Sequence, residues 1–405
     1  MSARVAALAA GEVDEAEFWR AAVAEGTPLI EPEPESPSDA ADGRLTVTFL
    51  WRGSPATRAV LVVPNKVMDP ADLAANLMER VPGTDVWHWS LRMRADWRAT
   101  YGLCVDEGGA PDEPGTPAYW RWLRAQHRVD PLNSRSLNRR WGAGPISYVE
   151  LPGAPRGVEW RVRADVPCGS VGVHRVRSER LGNERRVWVY EPAGHGETAR
   201  GDLPVLVLFD GESWQPELGV ATLLDNLIAD GRIPPVVALL PEALDNTTRW
   251  AELGCADRFV DFLADELLPW AAERLPVTSD PARTVLAGQS LGGLTAAYAA
   301  LRAPHRFGNV LSQSGSFWWP AGEAGAELVT ELVRASPRLP VRFRLSAGEQ
   351  EWVLLPSSRR LRDALRERGY ADASYGEFNG GHDWLCWRTE LADGLVELLG
   401  GTASP

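Results

Sequence analysis

The sequence predicts an α/β protein in two parts. A small antiparallel β-sandwich occupies residues 44–150, and a mostly parallel central sheet covered by helices occupies residues 181–402. Three observations carry this. From Arg44 the chain runs through RLTVTFLWR, RAVLVVPN, DVWHWSLRMR and WRATYGLCV, alternating branched and aromatic runs broken by Gly, Pro and Asp, the pattern of antiparallel strands. From about Leu181 short apolar runs alternate with amphipathic helical stretches, the rhythm of a parallel sheet whose crossovers are helices. The length, 405 residues, exceeds one average domain.

Residues 1–26 read as helix, and Glu31–Asp42 (EPEPESPSDAAD) is a proline- and acid-rich linker, so 1–43 forms an N-terminal helix and linker. The sandwich's regular strands end near residue 106. Residues 107–180 hold many Pro and Gly and read as an irregular connector with one helix around Pro117–His127; its last part, 151–180, joins the two domains. Beyond it the expected strands are RRVWVYEP, PVLVLFD, PVVALLPE, RTVLAGQ, GNVLSQSG, VRFRLSAGE and ASYGEFNGG. The expected helices fall around Ala256–Leu275, Leu291–Arg302, Ser357–Arg368 and Trp387–Leu399. No internal repeat is visible.

Composition narrows the function classes. A net charge of −13 opposes nucleic-acid binding, which needs a basic face. No run approaches the roughly 20 apolar residues of a membrane span, so no membrane partner is expected. The N-terminal MSARVAALAAGEVDEAEFWR lacks a long apolar centre and reads as a surface helix, not a secretory leader, which predicts a cytoplasmic address. Cys104, Cys168, Cys255 and Cys386 form no C-x-x-C pair and are expected as free, partly buried thiols. No resident metal or cofactor is expected. Lys66 is the single lysine; GC-rich codon usage accounts for the arginine bias, and arginine forks also suit planar anionic oxygens. Most of the 18 tryptophans are expected in packing, with several beside the motifs below.

The chemistry lies in TVLAGQSLGGLTAAYAALRA, an apolar strand, a tight turn and an alanine-rich helix. This is the context of a nucleophile elbow, which predicts an α/β-hydrolase domain with Ser290 of Gly288-Gln289-Ser290-Leu291-Gly292 as its nucleophile. The elbow lifts the hydroxyl above the sheet only if the residues two away on either side are small. Gly288 and Gly292 meet that demand. The N–H of Leu291, at the helix N-terminus, is a candidate oxyanion donor. A serine needs a base, and the order serine, acid, histidine leaves His305 and His382. His305, just after the elbow helix, is expected to cap or pack. His382, in the loop EFNGGHDW after the last strand, is the base. The acid should follow VRFRLSAG, where Glu349 and Glu351 both fall, and spacing alone leaves both open. Asp383, beside His382, is expected at the surface. The second oxyanion donor is expected in the turn Asp210-Gly211-Glu212 after PVLVLFD, from Gly211 or Glu212.

These residues resemble the enterochelin (enterobactin) esterases of siderophore iron release. The likeness runs from about residue 45 to 400. It is carried by GTDVWHWSLRMRADWRATY, DPLN at Asp130–Asn133 and SERLGNERRVWVY, then by VLFDGESW, AGQSLGGLTAAYA, RFGNVLSQSGSFWW and NGGHDWLCWR. The resemblance implies a cytoplasmic serine esterase that opens the trilactone backbone of a ferric tris-catecholate siderophore, through an acyl-serine intermediate, so that iron can be released. Iron then enters only as part of the substrate. The resemblance maps the nucleophile and base onto Ser290 and His382 and favours Glu351 over Glu349, although the surrounding GEQEWVLL departs from the family pattern.

A ferric tris-catecholate is an anion bearing flat rings, so arginines and tryptophans near the motifs are candidate contacts. These are Arg249 in DNTTRWAEL, Arg180 in the family-like SER, and Trp214, Trp318, Trp319 and Trp384 in the motif loops. An acidic protein can still bind an anion, because local arginines act within a Debye length of about 8–10 Å. One alternative is a feruloyl or acetyl esterase acting on carbohydrate; such enzymes usually work outside the cell, and the leaderless N-terminus weighs against it. Another is a siderophore-binding protein without turnover, which would have no need of an elbow.

Overall fold

The computed structural model describes residues 2–32, 43–69, 71–140, 143–194, 203–320 and 327–400. The chain divides into two compact units: Met1–Pro155 together with Asn379–Leu385, and Arg156–Phe378 together with Cys386–Pro405.

The first unit is a β-sandwich. Its strands are β1 (Leu29–Pro32), β2 (Arg44–Arg52), β3 (Ala59–Pro64), β4 (Glu79–Arg80), β5 (Val86–Arg94), β6 (Arg98–Asp106), β7 (His127–Arg128), β8 (Ser136–Asn138) and β9 (Pro145–Glu150). One antiparallel sheet has the order β1-β2-β5-β4; the other is β3-β6-β9-β8, with β7 also paired to β6. Alternation along the strands sends Val47 and Phe49 of β2 and Ala99, Tyr101, Leu103 and Val105 of β6 into one shared core around Trp97. Strand β6 is buried along its whole length, because its other face is covered too. There Leu61 and Cys104 meet Tyr119 and Leu123 of the helix Pro117–Ala125. That helix starts at Thr116, whose hydroxyl accepts from the Tyr119 N–H, with Pro117 in the first turn. The outer face of the other sheet is capped by the helices Ala3–Ala9 and Glu15–Glu25, whose Val5, Leu8, Phe18 and Trp19 pack on Leu50 and Val86.

Two sequence expectations change here. Glu31 and Pro32 of the expected linker belong to β1, paired antiparallel with β2, while residues 33–42 lie outside the described residues. The expected irregular connector contains β7, β8 and β9, so ordered pairing in the sandwich continues to Glu150.

The second unit is the α/β-hydrolase domain. Its strands are β10 (Ser170–Ser178), β11 (Asn183–Glu191), β12 (Val205–Leu208), β13 (Val237–Pro241), β14 (Thr284–Gln289), β15 (Asn309–Gln313), β16 (Arg342–Gly348) and β17 (Ser374–Phe378), in the order β10-β11-β13-β12-β14-β15-β16-β17. The first two pairings are antiparallel. The other pairings are parallel. Strands β12, β14 and β15 are wholly buried, as expected where helices cover both faces. The strand order reverses between β12 and β14, and the carboxyl ends at such a reversal form the crevice where ligands bind in open α/β sheets.

Strand β10 is a strand of this sheet that the sequence hid. SVGVHRVRS lies at the sheet edge with only Val176 and Ser178 buried, so it carries little of the apolar signal that marked its neighbours. The helix expected over Ala256–Leu275 forms Asp257–Asp261 and Leu268–Ala272 with a π-helical stretch, Phe262–Leu267, between them. Pro269 brings no N–H to the turn before it, and Arg306 donates to the Ala264 carbonyl inside that turn.

A buried ion pair fixes the near edge of this sheet. Arg185 of β11 donates to both carboxylate oxygens of Glu252, at 2.9 and 2.6 Å, and to the Glu242 carbonyl. Its guanidinium also lies over the rings of Phe259 and Phe262. Removing one partner leaves a buried charge uncompensated. Glu252→Leu should therefore lower stability by about 3–5 kcal/mol, and Arg185→Met in the same chain should recover most of that loss. Urea denaturation of the two single variants and the double variant measures both effects.

Candidate active site

At the end of β14 the backbone enters a conformation that L-residues rarely adopt: Ser290 has φ 59° and ψ −121°. The helix Leu291–Arg302 begins at the next residue. Packing makes this turn obligatory. A Cβ on Gly288 would stand 2.5 Å from the Gly292 carbonyl carbon, and one on Gly293 would strike the Ser312 hydroxyl. The small residues of G-x-S-x-G-G thus let strand and helix meet back to back. The Ser290 N–H donates to the Gln313 carbonyl of β15 at 3.1 Å, and the Ser290 carbonyl accepts from Ser316 and Leu294. Ser290 is half-buried, and its Oγ lies 3.3 Å from the Ser316 hydroxyl.

Beneath the serine runs a buried amide chain. Trp214 Nε1–H donates to Gln289 Oε1 at 2.8 Å, Gln289 Nε2 to Gln313 Oε1 at 2.6 Å, and Gln313 Nε2 to the Trp387 carbonyl at 2.6 Å. Polar groups at this depth are tolerated because each one named has a partner. Sequence reasoning passed over Gln289, Gln313 and Ser316, although QSLGG and SQSGS display them.

The Leu291 N–H opens the elbow helix, where the first turn has no intrahelical acceptor. Asp210, at the end of β12, has φ 62° and starts the short helix Gly211–Trp214. Gly211 lies so close to Leu240 that any side chain would strike the Leu240 carbonyl. Glu212 Oε2 accepts from the Ala243 N–H at 3.1 Å. Past β16, Glu349 is exposed, whereas Glu351 is fully buried and accepts from the Gly348 N–H at 2.8 Å. His305 is exposed on the turn after the elbow helix.

His382 and Trp384 fall in the segment counted with the first unit, whereas Ser290, Leu291, Gly211, Glu212 and Glu351 belong to the second. Within the first unit Asn65 Nδ2 donates to the His382 carbonyl at 2.7 Å, and Arg140 lies over the Trp384 ring. Asp383, expected at the surface, is buried. Its Oδ2 accepts from both the N–H and the hydroxyl of Thr100, at 2.5 and 2.7 Å, and its Oδ1 accepts from the Leu385 N–H. Burial pushes this carboxyl above the usual range, partly offset by the Thr100 and Leu385 donors.

Residues 178–398 match the family described as putative esterase, and residues 46–160 match the enterochelin esterase N-terminal family. The iron(III) enterobactin esterase of Dickeya dadantii is 35% identical, with 97% of this chain and 95% of that protein aligned. This chain belongs to the enterochelin esterase family. The iron(III) salmochelin esterase of Escherichia coli is 32% identical over 97% of this chain and 96% of its own. The crystal structure of the ferric enterobactin esterase from Salmonella typhimurium superposes with a TM-score of 0.81 at 34% identity, covering 95% of this chain and 98% of that one. The protein is an ester hydrolase of the α/β-hydrolase fold. No helix among the described residues is long and apolar enough to cross a membrane.

Several of the expected substrate contacts have partners within the chain. Arg249 is buried and forks onto Asp210, with Nε–Oδ1 at 2.7 Å and Nη2–Oδ2 at 2.8 Å, and Nη2 also reaches the Gln289 carbonyl. Its guanidinium ties the turn after β12 to the residue preceding Ser290. Sequence alone could not show this, because the partner lies 39 residues away. Arg180 is exposed and paired with Asp261 and Asp265 on the surface. Trp214 is fully buried, stacked on Trp160, and packs beneath the site. Trp318 and Trp319 are half-buried and form a cluster with Trp250, which sequence reasoning missed; the centroids are 5.6–6.5 Å apart.

The fork from Arg249 to Asp210 generates a prediction opposed to anion recognition. Arg249→Met removes a buried partner and should lower stability by about 3–5 kcal/mol. It should reduce hydrolysis of a small neutral ester and of an anionic ester by the same factor. Thermal melts and parallel assays with the two esters check this.

Proposed function

We propose that this esterase hydrolyses the trilactone backbone of a catecholate siderophore, taken as its ferric complex, in the cytoplasm, through an acyl-serine intermediate. The observation that carries the mechanism is the left-handed backbone of Ser290 between β14 and its helix, in a chain whose relatives are named iron(III) enterobactin and iron(III) salmochelin esterases. Four free cysteines accord with a reducing compartment.

In this reading the Ser290 Oγ attacks a lactone carbonyl while His382 takes its proton. The tetrahedral oxyanion is held by the Leu291 N–H and by an N–H of the Gly211–Glu212 turn, whose glycine lets backbone approach closely. Collapse breaks the ester C–O bond, and the imidazolium of His382 protonates the leaving alkoxide. Water, activated by the same imidazole, then attacks the acyl-Ser290 and frees the acid. Glu351 orients and stabilises the imidazole. Its burial favours it over exposed Glu349, since a carboxylate out of water is a stronger electrostatic partner. Iron is cargo here, and no step uses a resident metal.

For substrate contact, the Trp250, Trp318 and Trp319 cluster supports stacking on catechol rings, with Trp250 40% exposed. Trp384 is retained as a further aromatic candidate. Arg249 and Arg180 are not, because carboxylates of the chain already hold them.

Incubation with a panel of ferric and iron-free trilactones, followed by mass spectrometry, should show linear trimer and smaller fragments. Ser290→Ala should lose about 10⁴–10⁶-fold in kcat while binding the ferric complex within a few-fold of wild type. Glu351→Gln should cost more than Glu349→Gln by at least about tenfold. Hydrolysis persisting in Ser290→Ala would defeat the acyl-serine step. Binding without products in the wild type would favour a siderophore carrier, and preference for feruloyl sugars a carbohydrate esterase.

A further inference from the structure

The loop that carries His382 is held by the sandwich at several successive points. Asn379 Nδ2 donates to Asp96 Oδ1 at 2.6 Å. Gly381 lies against Asn65, where a Cβ would stand 2.5 Å from the Asn65 carbonyl oxygen. The His382 carbonyl accepts from Asn65 Nδ2 at 2.7 Å, and both oxygens of Asp383 accept, Oδ2 from two groups of Thr100 and Oδ1 from the Leu385 N–H. Asn65 and Thr100 are themselves joined, the Asn65 N–H donating to the Thr100 carbonyl at 2.9 Å. The residues on both sides of the histidine, and the histidine's own carbonyl, are therefore tied to the ends of β3 and β6.

This is more than a surface loop requires. Asp383 is 1% exposed, and a carboxylate is expensive to bury without several donors. Polypeptide can turn sharply at Gly380 and Gly381 in many ways. The clamp selects one of them and with it the direction in which the histidine side chain leaves the backbone.

We infer that Thr100, Asp383 and Asn65 are positioning residues for esterase catalysis, holding the backbone of His382 in register from the sandwich. The inference rests on the reading of His382 as the general base. None of the three needs to touch substrate. Their effect is on imidazole placement, where a shift of about 1 Å can cost up to about 100-fold in rate.

The test compares Thr100→Val, Thr100→Ser, Asn65→Ala and His382→Ala in the full-length chain. Thr100→Val keeps the shape and removes the hydroxyl donor to Asp383. Its kcat on a small chromogenic ester should fall about 10–100-fold with KM changed less than about twofold. Phosphonylation of Ser290 by a fluorophosphonate, which also needs the base, should slow by a similar factor. Thr100→Ser should restore both. Asn65→Ala should show the same split, and it decides the matter if Thr100→Val does not fold. Full activity in His382→Ala would remove the base reading itself. Loss in His382→Ala, with unchanged kcat and phosphonylation in folded Thr100→Val or Asn65→Ala, would overturn the positioning role and leave the base reading standing.

Discussion

The catalytic unit is arranged around one backbone conformation, the positive φ of Ser290. A serine pays for that conformation in strain, so everything around it must make the alternative worse. Gly288 and Gly292 pack back to back and leave no room for the strand to continue straight. The Ser290 N–H is bonded to β15, and its carbonyl holds both the elbow helix and the Ser316 turn. Below, the chain of Trp214, Gln289 and Gln313 locks the strand ends laterally, and Arg249 draws the turn after β12 against Gln289. The strained turn and the candidate oxyanion turn are thus set by one connected group of buried contacts.

What could be read from sequence follows from the range of the interactions involved. Strands β11 to β17 and the elbow helix were legible because their signals are local: apolar runs, alanine spacing and glycines two residues from a serine. The elbow was legible for the same reason. Strand β10 was not, since an edge strand with most side chains in water has little apolar periodicity to offer. Asp383 read as a surface residue because its donors on Thr100 lie 283 positions away. Arg249 read as a ligand for anions because nothing near it in the chain announces Asp210. Long-range polar pairing is where composition and spacing lose their power, and it decided both residues.

The arginine-rich composition changes meaning once placement is known. Arg180, Arg185, Arg186, Arg249, Arg302, Arg359 and Arg360 all pair with carboxylates of the same chain. A guanidinium already forked onto a carboxylate has little left for a substrate oxygen. At these positions the arginines are already engaged by carboxylates of the chain. The aromatic surface gains weight accordingly: Trp250, Trp318 and Trp319 are adjacent, and Trp250 is open to solvent.

Asp383 and Glu351 are both buried carboxylates, and their partners differ. Asp383 adjoins His382 in sequence, and both its oxygens are engaged, by backbone and Thr100 donors. Glu351 is distant in sequence and fully buried at the end of β16, with one oxygen on the Gly348 N–H. A carboxylate that fixes a loop needs its acceptors filled. Asp383 meets that requirement and so holds the backbone of the loop that carries His382.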